Sequence, residues 1–272
     1  MKEEFVHSIL KSIDRDEEQI VNHYSKTKDK IGHFYIDSLL PKELVYKVSE
    51  CFPKAQQMVL KKSIREDKYI SAQMDKHNLI LEELIYAFQD RRVIKKFEEL
   101  IKFKGLQADD KLYAGGISMM KHQQFLSPHL DNSHDRDRKR WRVLNLLYYV
   151  TPNWKLEDGG NLELWPEGMS SDKITIVSKF NRLVVMATHN ESYHSVSKVL
   201  SKDKNRCCVS NYYFSVSSLR KGDTFHVTSF RGWPKERVKD MILKGDAIIR
   251  MAIRKVFRKG VKENPHYYKK KD

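Results

Sequence analysis

HLDNSHDRDRKRWRVLNLLYYVTPNWKLEDGGNLELWPEG, residues 129–168, opens on a histidine and an aspartate two positions apart and then alternates short apolar runs with turn residues. WRVLNLLYYV and NLELWP have strand length and are rich in Leu, Val and aromatics, while TPNW, EDGG and PEG are turn chemistry. The same grammar extends outward over 112–215, through LYAGGISMM, QQFLSPHLD, ITIV, RLVVMAT and RCCVSNYYFS. Many short strands without helices between them predict an antiparallel sandwich or barrel, with a jelly roll as one option. In an extended strand, side chains at i and i+2 point to one face, so His129 and Asp131 can converge on a single point, as two ligands of a metal would.

Before this β region the pattern is helical. Phe5, Ile9 and Ile13 recur at helical spacing within 1–26, HFYIDSLLP (33–41) reads as a short strand, and PKELVYKVSECF as a helix with proline at its start. Residues 79–104 carry a further helical stretch with an apolar stripe. These helices are expected to cover one sheet face, giving a mainly β fold with flanking helices. The expected division is an N-terminal helical segment over 1–32, a main domain over 33–218 with its β core at 112–215, and a basic helix and tail over 219–272.

Composition narrows the function. No run of about 18 apolar residues is present, and MKEEFVHSILKSIDRDEEQ carries acids throughout without an apolar signal core, so a cytoplasmic protein is expected. Cys51, Cys207 and Cys208 have neither disulfide-framework nor zinc spacing. The net charge is +15, and residues 234–272 hold 13 Lys/Arg against 5 Asp/Glu, which supplies +8 of it. A basic end predicts an acidic partner: an anionic membrane surface, nucleic acid or an anionic substrate. PKERVKDMILKGDAIIRMAIRKVFRKG (234–260) reads as a helix with Val238, Ile242, Ile249, Ile253 and Val256 on one stripe and Arg250, Arg254, Lys255, Arg258 and Lys259 crowding its last turns. That helix either docks on the barrel or rests, together with the terminal YYKKKD, on an anionic surface.

A jelly roll with H-x-D needs a third ligand to complete two histidines and a carboxylate around one metal. His194, in ESYHSVSKV, begins the next-to-last β run; His189, in the polar turn THNES, competes with it but has a solvated turn histidine as its default reading. The 129–168 stretch, followed by KFNRLVVM, YHSV and NRCCVSNYYF, resembles the Fe(II)/2-oxoglutarate-dependent oxygenases, in particular the prolyl-hydroxylase branch. The resemblance covers roughly 112–215, with HFYIDSLLPKELV as lead-in. Its specificity lies in the order of H-x-D, Y-Y-V-x-x-x-W, GG-x-L, F-x-R-L, H-x-V and R-x(6)-Y-F.

The resemblance implies a double-stranded β-helix (jelly-roll, cupin-like) core, Fe(II) as metal, and 2-oxoglutarate and O2 as cosubstrates. It implies His129, Asp131 and His194 as iron ligands, and Arg206 as partner of the distal 2-oxoglutarate carboxylate with Tyr149 supporting it. Asn145, Leu147 and Leu162 are implied beside the cosubstrate, and Tyr212, Arg142 and Asn132 toward the substrate. Strand alternation agrees, because Asn145, Leu147 and Tyr149 share one face, as do Arg206, Ser210 and Tyr212. Asp131 argues for hydroxylation, since related halogenases lack this carboxylate.

Two departures matter. A tyrosine that many prolyl hydroxylases carry ten residues before the first ligand falls here on Met119, and Tyr212 stands where animal enzymes have tryptophan. The leading expectation is therefore a dioxygenase hydroxylating a small polar metabolite, sugar or amino-acid derivative, with succinate and CO2 released. A prolyl hydroxylase acting on a peptide or protein is the alternative. A metal-free binding module conflicts with the intact ligand set. A nucleic-acid demethylase conflicts with basic residues that cluster after the barrel without interleaved aromatics, so nucleic acid is not an expected partner.

Overall fold

Helix α1 (Lys2–Thr27) carries Glu3 and Glu4 in its first turn and Lys26 in its last, which suits the helix dipole. Phe5, Val6, Ile9, Ile13, Ile20 and Tyr24 recur along it and are all buried. Full burial of such a side chain is worth about 1.5–3 kcal/mol, so packing more than propensity holds this helix. The computed structural model describes residues 1–113, 115–257 and 268–269.

Strand β1 (His33–Asp37) and helix α2 (Lys42–Glu50) follow as expected. A hairpin of β2 (Val59–Lys62) and β3 (Glu66–Ser71) comes next, in a segment where sequence reading assigned no strand. The helical stretch at 79–104 is two helices, α3 (Leu79–Phe88) and α4 (Arg91–Ile101). Asp90 divides them: its side chain accepts the Arg92 backbone N–H at 3.0 Å and caps α4, as Asn78 caps α3 by accepting from Ile80 at 3.0 Å. Short polar side chains satisfy free N–H groups best at a helix start, which favours a new helix at Asp90 over continuation.

The remaining strands are β4 (Gly116–Met120), β5 (Phe125–Leu130), β6 (Trp141–Tyr149), β7 (Leu162–Leu164), β8 (Ile174–Ile176), β9 (Arg182–Ala187), β10 (His194–Val196), β11 (Arg206–Ser215) and β12 (Ser229–Phe230). They form one antiparallel sheet in the order β1-β9-β6-β11-β4-β3-β5-β10-β7-β8, with β12 added to β5 and β2 to β3. Strand β3 pairs with both β4 and β5, so the sheet curls over and its two walls share an interior. This is the expected mainly β fold with a jelly-roll core.

Alternation then sorts side chains into two layers. Leu144, Leu146 and Tyr148 of β6, Leu183 and Val185 of β9, and Val209 and Tyr213 of β11 pack with α1, α3 and α4 in the larger core. Leu147 and Tyr149, Val184 and Met186, and Cys208 point the other way and meet Leu162, Leu164 and Ile176 inside the curl. The adjacent Cys207 sits on the helix side, and all three cysteines are free.

Helix α5 (Arg237–Val256) closes the described chain. The expected helix end at 258–260, with Arg258 and Lys259, lies outside the described residues, as does YYKKKD apart from Tyr268 and Lys269. The stripe Val238, Ile242, Ile249, Ile253 and Val256 faces solvent, and Leu243 is the helix's buried residue. No helix among the described residues is long and apolar enough to cross a membrane.

Asn181, in KFNRLVV, ties the lead-in to the barrel. It sits at φ 61°, a left-handed conformation that asparagine tolerates better than most residues. Its amide accepts from Leu40 N–H (3.0 Å) and from the Tyr148 hydroxyl (2.7 Å) and donates to the Leu40 carbonyl (2.7 Å). Asn181→Ala strands three buried groups in a strained turn and is expected to cost about 3–5 kcal/mol. Urea unfolding checks this: the midpoint should fall while the slope stays the same.

Candidate active site

Antiparallel pairing of β10 with β5 sets His194 directly opposite His129, their ring centroids 4.2 Å apart. Asp131 follows β5 two positions after His129, and the three donor atoms lie within 4.8 Å of one another. His129 Nε2 is 3.6 Å from Asp131 Oδ1, and His194 Nε2 is 3.7 Å from Oδ2. Each ring also holds a carbonyl two residues upstream through Nδ1, His129 to Ser127 at 2.9 Å and His194 to Ser192 at 3.0 Å. A neutral ring that donates from Nδ1 turns its Nε2 lone pair toward the shared point. Burial, reinforced by the neighbouring His129, pushes His194 down to about 4, so it is neutral at neutral pH and ready to bind a cation.

Burial opposes ionisation of Asp131, but His194, His129 and Arg142 outweigh it and hold the carboxyl well below the usual carboxylate range. Arg142 Nη1 lies 3.5 Å from Asp131 Oδ1, and Asn145 Nδ2 donates to Oδ2 at 3.3 Å. Two imidazoles and a buried carboxylate suit Fe(II) and leave part of its coordination sphere free.

A cavity extends inward from this triad, lined by Asn145, Leu147, Leu162, Ser210, Tyr212 and, at β11's first residue, Arg206. Arg206 is 3% exposed. Its Nε donates to Ser178 Oγ at 3.0 Å and its guanidinium lies over the Tyr149 ring at 4.8 Å, yet no carboxylate pairs with it among the described residues. The Tyr149 hydroxyl beside it is buried without a hydrogen-bond partner, and burial pushes it up to about 12. A buried guanidinium without an anion and a buried hydroxyl without a partner fit the far carboxylate of a dicarboxylic acid. The glycine pair makes room for this arginine: a Cβ on Gly160, at φ +59°, would lie 3.0 Å from Arg206 Cδ. Trp154 Nε1 donates to the Gly159 carbonyl at 3.0 Å, which explains why W and GG occur together.

Of the substrate-side residues, Arg142 is buried and stacks on Tyr212 at 4.3 Å, while Asn132 lines the outer mouth and donates to the Tyr113 hydroxyl at 3.2 Å. Arg142 is therefore buried beside Asp131 and is not part of a solvated surface loop. One expectation needs correction, and the Met119 position is resolved with it. His189 is buried, its Nδ1 accepting from the Glu191 N–H at 3.1 Å, because Ser192 folds the THNES turn inward; burial pushes it down to about 3, and it lies outside the triad. Met119 sits in the helix-side core, and alternation puts Ser118 and Met120 in the cavity instead. Sequence reading also missed Lys68, which lines the cavity, and Phe230, which stacks on His129 at 5.1 Å. Lys68 could have been found from the alternation in VLKKSIREDKYIS; a two-residue strand such as β12 leaves no such signal.

Residues 115–214 match the profile of the family described as the 2OG-Fe(II) oxygenase superfamily. Over these residues the chain is similar to that superfamily. Its chemistry uses Fe(II), 2-oxoglutarate and O2, in agreement with the cofactors the sequence implied. The chain is 31% identical over 91 residues to prolyl 3-hydroxylase OGFOD1 of Mus musculus, covering 32% of this chain and 16% of that one. It thus spans less than a fifth of that relative. A Pseudomonas putida prolyl-4-hydroxylase structure superposes with a TM-score of 0.51 at 16% identity, over 71% of this chain and 97% of the other. A Trichoplax adhaerens prolyl hydroxylase, solved with a hypoxia-inducible-factor peptide fragment, gives 0.50 at 17% identity over 74% and 91%. Both share the oxygenase fold.

The triad can be tested with a metal alone. The full chain should bind Mn(II) near one equivalent by titration calorimetry. His129→Ala, Asp131→Ala and His194→Ala should each lose that binding with unchanged circular dichroism, and His189→Ala should keep it. Retention in His194→Ala with loss in His189→Ala would reverse the ligand choice.

Proposed function

We propose that this chain is a Fe(II)- and 2-oxoglutarate-dependent dioxygenase that hydroxylates an unactivated C–H bond and releases succinate and CO2. The observation that carries this reading is one cavity with the His129–Asp131–His194 triad at one end and the unpaired buried Arg206 at the other. Bound iron would supply the oxygen chemistry, coupling decarboxylation of the oxo acid to C–H oxidation. The triad would hold the metal, with Arg142 and Asn145 fixing the Asp131 carboxylate. Arg206 would grip the distal carboxylate through its planar fork, with Tyr149 supplying a hydroxyl. Leu147 and Leu162 wall the cosubstrate and keep water out.

On the substrate, a small polar molecule is the reading we favour. Asp246 of α5 pairs with Arg65 at the β2–β3 turn, joining two elements whose Arg65 and Arg250 line the cleft beside the triad, which leaves less room for an extended chain. Prolyl hydroxylation of a peptide is the second reading, supported by the names of the relatives. Succinate formation above the uncoupled background, screened with metabolites and proline-containing peptides, separates the two.

Arg206→Ala leaves a carboxylate unpaired in a buried site, at a cost of about 3–5 kcal/mol. The 2-oxoglutarate requirement should rise about a hundredfold or more, with little change in Mn(II) binding. Tyr149→Phe should cost about 1 kcal/mol. An unchanged 2-oxoglutarate dependence in Arg206→Ala would sink the assignment.

We further propose that α5 rests on an anionic lipid surface. Its stripe is open, Val238 and Val256 being 67% and 74% exposed, and Arg237, Lys244 and Lys255 flank it. Each basic residue near such a surface contributes about 1 kcal/mol. Sedimentation with phosphatidylserine vesicles should be salt-sensitive, absent with phosphatidylcholine and lost on deleting 234–272. Equal sedimentation of full-length and truncated chains would end this reading.

A further inference from the structure

Outside the triad lies a second space, a cleft that shares His129, Asp131, Lys68 and Tyr212 with the inner cavity. Its lining carries five cationic side chains, Lys61, Arg65, Lys68, Arg142 and Arg250, against two acids, Glu66 and Asp131. Asp131 belongs to the triad, and Glu66 already pairs with Lys68 at 3.0 Å. Asp246 serves two cations at once, Arg65 and Arg250, the latter at 2.8 Å. Even so, Arg65 Nε, Arg250 Nη2 and Arg142 Nε are buried without a hydrogen-bond partner. Buried guanidinium donors are costly when no acceptor reaches them. The cosubstrate does not account for this excess, because its distal carboxylate is assigned to Arg206 at the inner end. The cations also come from distant parts of the chain, on β2–β3, β6 and α5, which converge on one opening.

We propose that this cleft binds an anionic group of the substrate, a phosphate or a carboxylate, through Lys61, Arg65, Lys68 and Arg250. Calling the ligand a substrate rests on the hydroxylase reading; the anion site itself does not. Anion recognition is thereby assigned to the mouth of the barrel, to which the basic C-terminal segment contributes Arg250. Charge-assisted hydrogen bonds from guanidinium and ammonium groups supply the affinity, and the low-dielectric wall around Arg142 strengthens them. An anion seated there lies beside the metal ligands, so an adjoining C–H of the same molecule would face the reactive end of the cavity.

The test uses the full chain loaded with Mn(II) and saturated with 2-oxoglutarate, so that Arg206 is already engaged. Calorimetric titration with sodium sulfate and, separately, sodium acetate is run at constant ionic strength. Saturable binding of at least one probe is expected; preference for sulfate indicates a phosphoryl-type group, and preference for acetate a carboxylate. Lys61→Gln with Lys68→Gln should weaken binding about tenfold or more, whereas Lys42→Gln with Lys47→Gln, exposed on α2, should leave it unchanged. No saturable binding of either probe, or equal affinity in the cleft variant, overturns the proposal. A separate succinate assay on the Fe(II)-loaded chain keeps the two readings separable: lack of 2-oxoglutarate turnover would sink the hydroxylase reading and leave the sulfate result standing, and the converse also holds.

Discussion

The register between β5 and β10 is the constraint on which the site depends. Because side chains alternate across a strand, a slip of one residue would turn His129 or His194 away from the interior and leave Asp131 with a single imidazole. The register is held from both sides. Leu126 and Val196 pack in an apolar cluster with Met120, Val199, Phe230 and Leu243, and β12 adds Phe230 over the outer face of the His129 ring. Beyond β10, the Ser195 hydroxyl donates to Glu163 on β7 at 2.8 Å and accepts from Trp165 at 3.0 Å. The histidines are therefore aimed by the sheet before any metal arrives.

Buried charge is the cost of this arrangement, and its compensation is uneven. Asp131 is met by Arg142, Asn145 and two imidazoles, whereas Arg206 has one serine hydroxyl and an aromatic face. Burying a guanidinium without an anion is expensive, and the cost is retained only where surrounding packing over-determines the position. Gly160 beneath the Arg206 side chain and Ser178, itself anchored to the Gly160 carbonyl at 2.8 Å, provide that packing. Such an asymmetry between the two ends of one cavity is what a bound dicarboxylate would relieve.

Legibility varied with how local the signal was. The 3.6-residue stripe of α1 and the near-continuous apolar runs of β6 and β9 are written in neighbouring residues, and both folded as read. The helix break at Asp90 was legible in principle from its capping chemistry, but the continuous apolar stripe over 79–104 masked it. His189 was misread because a polar turn ordinarily faces water; here Ser192 satisfies the turn's backbone internally and lets the imidazole go inside. Met119 was placed by counting back from His129, and counting does not reveal which face of β4 a side chain takes.

Local chemistry in the chain was enough to establish the strand and helix grammar, the H-x-D pair on one strand face, and the order of motifs that marks an oxygenase domain. The motif order also put His194 in the ligand set, whereas tertiary structure alone buried His189, sent Met119 to the helix side, turned the α5 stripe outward and assembled the cationic mouth. The reason is distance along the chain. Arg65 and Asp246 meet across 181 residues, and the two-residue β12 carries too few side chains to show a period. Contacts of that kind depend on how the sheet curls, and a curl is set by the pairing of all its strands together.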